Sequence, residues 1–305
     1  MNRPHTERWA YKALYRDNIF ALTSRMYPWV GRSGARLLCR SIAWTYARTQ
    51  PAIREVVRKN LSLLQSEPVT DRDAMKVFLN FGETLADYVG VGLKTPEEAQ
   101  LLFGGHIGIE HLRRATEKGR GVILATGHYG FFEFGSVILA DLGYPMAVAT
   151  LPEPTTELTQ WRADWRLRWG GKTIPVGQDP FSSLQVAKAI TEGHCMALLA
   201  DRPFGERNLP FDLPNGRIPM SLSPALLGWM TGCDILPAVI KRLPDKRYQI
   251  ITKPPITVQR VPHAERDQEI ARGTRAIADS LFEEIRRDPQ QWYQFVPVGI
   301  TEDDE

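Results

Sequence analysis

The 305-residue chain has only three cysteines, Cys39, Cys195 and Cys233, far apart and in no metal-ligand or redox spacing. That scarcity argues against a disulfide framework or a zinc site and points to a reducing compartment. It also lacks a run that could cross a membrane. Ile19 to Ala47, the most apolar stretch near the start, is interrupted by Arg25, Pro28, Arg32, Arg36 and Arg40, whereas a span takes roughly 20 mostly apolar residues. With no secretory signal legible, cytoplasmic placement is expected, with membrane contact at the surface alone. A Gly-x-Ser-x-Gly elbow is missing, which argues against a serine hydrolase of the α/β type. Phosphate-loop and dinucleotide glycine patterns are missing too.

What is present is enough to fold. Hydrophobic residues make up 43% and charged residues 24%, the balance of a globular protein. The net charge of +3 hides an asymmetry: residues 1–60 carry 12 Lys/Arg against 3 Asp/Glu, leaving the remainder at −6. The basic stretch suggests an anionic partner, and the acidic remainder together with the absence of base-reading motifs argues against nucleic acid. Arg3, Arg8, Lys12, Arg16, Arg25, Arg32, Arg36 and Arg40 alternate with Trp9, Tyr11, Tyr15, Tyr27 and Trp29. Basic residues interleaved with aromatics on an amphipathic segment suit a membrane interface, although a solvated helix face has the same composition.

The first hundred residues read as a helical, basic N-terminal region. Leu14, Ile19, Leu22 and Met26, then Leu37, Leu38, Ile42 and Tyr46, recur at helical spacing. A further helix is predicted over 71–90 with Thr70 as its cap. From Gly121 strands and helices alternate: strands near 121–126, 145–151, 172–176, 196–200, 235–241 and 248–252, helices near 131–142, 155–169, 181–192, 224–231 and 264–287. This predicts an α/β fold over 101–295 with a mostly parallel central sheet flanked by helices, and a disordered acidic tail over 296–305.

The chemistry concentrates in Ala125-Thr-Gly-His-Tyr-Gly-Phe-Phe-Glu133. A buried strand ends there, and strand C-termini are where active-site groups collect in such sheets. Gly127 and Gly130 permit a tight turn and close approach of a substrate. Five residues within one helix turn through about 140°, so His128 on a loop and Glu133 on the next helical turn are needed for the two to converge. Glu133 would then fix the imidazole tautomer and His128 would take a proton from an alcohol.

That block, with Gly108-Ile-Glu-His-Leu112 and Lys118-Gly-Arg-Gly121 before it, resembles the bacterial lipid A biosynthesis acyltransferases, the late lauroyl/myristoyl transferases of the lysophospholipid and glycerolipid acyltransferase superfamily, whose signature is His-x4-Asp/Glu. Arg58-Lys-Asn-Leu61, Trp165-Arg-Leu-Arg-Trp-Gly170, Leu198-Leu-Ala-Asp-Arg202, Leu209-Pro-Phe211 and Asp288-Pro-Gln-Gln-Trp292 extend the likeness over about 50–295. The chain departs from the family where Arg202-Pro203 follows Asp201, after Trp292, and in having no membrane-spanning N-terminal helix. The resemblance implies an acyltransferase that moves a fatty acyl chain from an acyl carrier protein or coenzyme A thioester to a lipid hydroxyl, without metal or cofactor, at the cytoplasmic face of the inner membrane. It implies His128 as general base, Glu133 as its orienting partner, Arg166 or Arg168 on a phosphate, and Asp201 and Arg202 shaping the acceptor side. Alternative readings are a glycerophospholipid, glycolipid or pigment acceptor, and a non-catalytic peripheral membrane-binding protein.

Overall fold

Val122-Ile-Leu-Ala-Thr126 is apolar at four consecutive positions because both its faces are covered, and it forms β2 near the centre of the main sheet. The computed structural model describes residues 17–153, 155–177, 181–203 and 207–301. Arg3, Arg8, Trp9, Tyr11, Lys12, Leu14, Tyr15, Arg16, the side chain of Ile19 and the acidic end 302–305 therefore lie outside the described residues.

The chain order is α1 (Asp17–Thr49), α2 (Pro51–Ser62), α3 (Asp71–Gly92), α4 (Pro96–Gln100), β1 (Phe103–Ile107), α5 (Ile109–Thr116), β2 (Val122–Thr126), a 3-10 turn (Phe132–Phe134) running into α6 (Gly135–Asp141), β3 (Met146–Thr150), α7 (Thr156–Arg168), β4 (Gly171–Pro175), α8 (Ser182–Thr191), β5 (Cys195–Leu199), β6 (Asn208–Leu213), β7 (Gly216–Ser221), α9 (Ser223–Thr231), β8 (Ile235–Arg242), β9 (Tyr248–Thr252), α10 (Arg266–Arg287) and β10 (Ile300–Thr301). The main sheet has the order β1-β9-β8-β2-β5-β3-β4 and is parallel except between β8 and β9. This is the expected α/β architecture. β1 and the antiparallel β6–β7 hairpin, which joins β10 in a small second sheet, were not foreseen, and the stretch 296–301, expected as part of a disordered tail, is instead folded, with Val298 buried and β10 paired to β7. Phe103-Gly-Gly-His-Ile107 and Asn208-Leu-Pro-Phe-Asp-Leu213 carry Gly or Pro inside the strand, which removes the usual strand signal.

The helices before the sheet share its core. Ile53, Val57, Val77 and Phe78 pack in one cluster with Ile123, Ala125 and Met196. Helix α3 starts as expected at Thr70, whose hydroxyl and backbone exchange hydrogen bonds with Asp73, a capping arrangement worth about 1 kcal/mol. Helix α1 is broken at Gly31 (φ 62°), just after Pro28. It packs on α3 through Tyr27, Ala35, Cys39, Ala43 and Ala47, all buried. Small residues let the two backbones meet: a Cβ on Gly82 would lie 2.6 Å from the Cys39 carbonyl oxygen. The larger apolar residues Leu22, Met26, Leu37 and Trp44 consequently point outward and are exposed.

Candidate active site

Strands β2 and β5 are parallel neighbours with Thr126 opposite Leu199, so two residues beyond each strand end His128 and Asp201 stand at matching positions. The carboxylate receives the histidine twice: the His128 backbone N–H donates to Oδ2 at 2.8 Å, and Nδ1 meets Oδ1 at 2.8 Å. Trp292 Nε1 and Gln294 Nε2 also donate to Oδ2, at 2.8 and 2.7 Å. Burial works to raise the Asp201 pKa, but the His128 charge, the Arg202 charge and the two hydrogen bonds from His128 outweigh it and hold the group down to about 2. Asp201 is therefore an anion at any working pH. His128 is pushed below its ordinary value by burial first and by the Arg202 charge next, with Asp201 opposing. The imidazole is neutral near pH 7, and Nδ1 carries the hydrogen toward Asp201, because a carboxylate can only accept. Nε2 is left as a free base.

The loop carrying His128 is held by the chain's C-terminal segment. Tyr293 N donates to the His128 carbonyl at 2.7 Å, and Gly130 N donates to the Gln291 carbonyl at 2.9 Å. That segment is fixed in turn by Asn60, which donates to the Gln294 and Val296 carbonyls at 3.0 and 2.8 Å, and by Thr84, hydrogen-bonded to the Tyr293 hydroxyl at 3.0 Å. The two glycines are needed for packing. A Cβ at Gly127 would press on Asp201 Oδ2 at 3.1 Å. Gly130 has φ +56°, and a Cβ there would fall 1.9 Å from the Ile240 carbonyl oxygen. Neither lines the cavity described below, so their expected role in contacting substrate gives way to shaping the His128 loop.

Glu133 does not reach His128 in the way the spacing suggested. Its carboxylate takes a two-pronged contact from Arg166, Nε to Oε2 at 2.9 Å and Nη2 to Oε1 at 2.5 Å, with Arg162 Nη2 at 3.5 Å. Burial would raise its pKa, yet Arg166 and Arg162 keep it low and ionised. Arg162, four residues before Arg166 on one face of α7, also pairs with Glu153 and reaches Tyr88 Oη at 3.3 Å. Arg168, two residues on and so about 200° around the helix, faces away and donates to the Lys94 carbonyl at 2.7 Å. It is no part of the site.

His128, Glu133, Arg162, Arg166 and Arg202 line a cavity of about 780 Å³ at the C-terminal ends of β2, β3 and β5. Asp201, expected on the acceptor side of the cleft, lies beneath it, fully buried. The cavity wall draws on both faces of the sheet. Met146, Val148 and Ala197 belong to the cluster with Leu112 and Leu139, while Ala149, Val186, Leu198 and Leu227 belong to the one around α8 and α9. The cavity thus wraps over the strand ends, with a carboxylate-held imidazole at the turn and apolar wall on either side.

A titratable base at the strand ends, beside a cavity with charged groups at the base and apolar wall on either side, suits chemistry on a molecule that joins a polar centre to a hydrocarbon part. The family model of the bacterial lipid A biosynthesis acyltransferases matches residues 10–297. The chain belongs to this family. It is therefore an acyltransferase acting on a lipid, as its sequence resemblance implied. No curated protein matches it. Among the described residues, no helix is long and apolar enough to cross a membrane. Sequence reasoning had missed Trp292 and Gln294 as partners of Asp201, and Arg162 as a partner of Glu133. The four-residue spacing of Arg162 and Arg166 was a legible sign of one helix face. Nothing local ties Trp292 to Asp201.

Proposed function

We propose that this acyltransferase carries a fatty acyl group from an acyl carrier protein or coenzyme A thioester to a hydroxyl of a lipid A-type acceptor, with His128 as general base and Asp201 as its orienting partner. The observation that carries this reading is the bond of His128 Nδ1 to the buried, ionised Asp201, which directs Nε2 to substrate. His128 Nε2 takes the hydroxyl proton as the oxygen attacks the thioester carbonyl. Arg202 and Arg162 supply positive charge on the cavity wall where the oxyanion develops. Collapse of the tetrahedral intermediate breaks the carbon–sulfur bond, and the thiolate leaves with the proton from the imidazolium. No metal or organic cofactor takes part in these steps. The acyl chain lies along the wall formed by Met146, Val148, Ala197 and Leu199, and the acceptor approaches from the side of Ser223 and Arg202.

The same reading puts the protein on the cytoplasmic face of the inner membrane as a peripheral enzyme. Its contact is the outward face of α1, where Leu22, Met26, Trp29, Leu37 and Trp44 are exposed beside Arg25 and Arg48. An apolar stripe with tryptophans and arginines suits the lipid headgroup boundary.

The test is transfer of labelled acyl groups from both carriers to a panel of lipid A precursors and lysophospholipids, with His128→Ala as control. Label in a lipid A precursor, abolished in a folded His128→Ala protein, supports the proposal. Full transfer by the mutant overturns the mechanism, and label in a lysophospholipid alone overturns the acceptor.

A further inference from the structure

Asp201 and Arg202 are chain neighbours of opposite charge at the end of β5, yet they make no direct bond. Between them stands the side-chain amide of Gln294. Its Nε2 donates to Asp201 Oδ2 at 2.7 Å, and its Oε1 accepts from Arg202 Nε at 2.5 Å. The partners settle which amide atom is which, because a carboxylate has no proton to give and a guanidinium has no lone pair to offer. The residue is 1% exposed. Its backbone is pinned by Asn60 on its carbonyl, and its neighbour Tyr293 is bonded to the His128 carbonyl. Arg202 receives a second anchor from the Tyr293 carbonyl at 3.4 Å.

We infer that Gln294 is a positioning residue of the His128–Asp201 pair, a neutral spacer that holds the Arg202 guanidinium at the cavity wall and keeps it from closing on the Asp201 carboxylate. The inference rests on the proposed role of His128. A guanidinium grips a carboxylate with two parallel hydrogen bonds, and the attraction is strong away from water. Without the amide, Arg202 would compete with the imidazole for Asp201 Oδ1. His128 would lose its tautomer and orientation, and the cavity would lose a cation. The charged groups acting on His128 are Asp201 and Arg202 from the end of β5 and Arg162 from α7. Phe132 meets its ring edge-on, the Tyr293 backbone N–H donates to its carbonyl, and Glu133 on the same cavity wall is held by Arg166.

The experiment is a histidine NMR titration of the full-length protein, with the His128 signal assigned from its loss in His128→Ala. Gln294→Met, close in shape but unable to bridge, is examined alone and together with Arg202→Met. Gln294→Ala serves in its place should the methionine variant not fold. In Gln294→Met the His128 midpoint falls by about one pH unit as Arg202 neutralises Asp201. In the Arg202→Met background the same change leaves the midpoint in place. Steady-state kinetics follow the same pattern: kcat falls about tenfold in Gln294→Met with KM little changed, and the fall largely disappears without Arg202. An unmoved midpoint in Gln294→Met, or an equal shift in both backgrounds, overturns the inference. The titration needs no substrate, so failure of the acyl-transfer reading would show separately, as absent transfer with the His128 shift intact.

Discussion

Glu133 and Arg166 face each other through two N–H···O contacts in a pocket wall where their side chains are 5% and 3% exposed. A buried pair of this kind is costly to break because the surviving charge has no water to turn to. Glu133→Ala should lower the unfolding free energy by about 3–5 kcal/mol, and Glu133→Ala with Arg166→Leu should recover much of that loss. Denaturant titration of the single and double variants decides the matter. Unchanged stability with lost transfer would show that Glu133 acts on the reacting atoms.

Asp201 poses the opposite case, in which a small change alters the chemistry more than the fold. Its Oδ2 accepts from three N–H groups, of His128, Trp292 and Gln294. In Asp201→Asn the amide oxygen is needed at that position, so the NH2 group falls opposite His128 Nδ1. The imidazole then accepts at Nδ1 and carries its hydrogen on Nε2, the wrong tautomer for a base. We expect kcat to fall by about 100-fold or more with KM little changed. A variant within a few-fold of the parent would remove Asp201 from the mechanism.

These two carboxylates show what the sequence made legible. The apolar runs gave β2, β5 and β8 within a residue or two, and the glycine-flanked histidine at the end of β2 marked the right loop. The partner of His128 was not legible. β5 returns beside β2 only after β3 and β4 have been laid outside it, so the 73-residue separation of His128 and Asp201 holds no local signal. Glu133, close in sequence, was the natural choice. It falls on the 3-10 turn before α6, and that turn aims it at α7. The C-terminal clamp through Trp292 and Gln294 is hidden for the same reason, since side-chain period shows which face is buried but not what covers it.

The lowered His128 pKa has a kinetic consequence. A base works in its neutral form, which predominates above its pKa, so a downward shift extends activity toward acid. The acid limb of kcat/KM should lie below the ordinary histidine value of about 6.5. Asp201, held to about 2, stays ionised throughout and leaves that limb to His128. Arg202 is the first charge that pushes His128 down, so Arg202→Met should move the limb upward. A limb at or above the ordinary histidine value in the parent would contradict the burial argument.

The arginines of α1 were expected to meet an anionic surface, and the structure engages three of them internally. Arg32 and Arg36 both grip Asp87, their Nε atoms each 2.9 Å from Oδ1, and the Tyr248 hydroxyl donates to the same carboxylate at 2.6 Å. Arg40 pairs with Glu83 at 2.5 Å. Asp87 is fully buried, so Arg36→Gln should destabilise the fold by about 3 kcal/mol and leave vesicle binding by the remaining folded protein unchanged. The membrane contact proposed for α1 lies instead on Trp29, Leu37 and Trp44, with Trp29 88% exposed. Replacing Trp29 and Leu37 by Ser removes apolar area from the outward face without touching Asp87. We expect co-sedimentation with anionic vesicles to drop by about tenfold, with the thermal midpoint little changed. Equal sedimentation of parent and variant would remove α1 from the interface. A loss in Arg36→Gln at matched folded concentration would return the contact to the arginines.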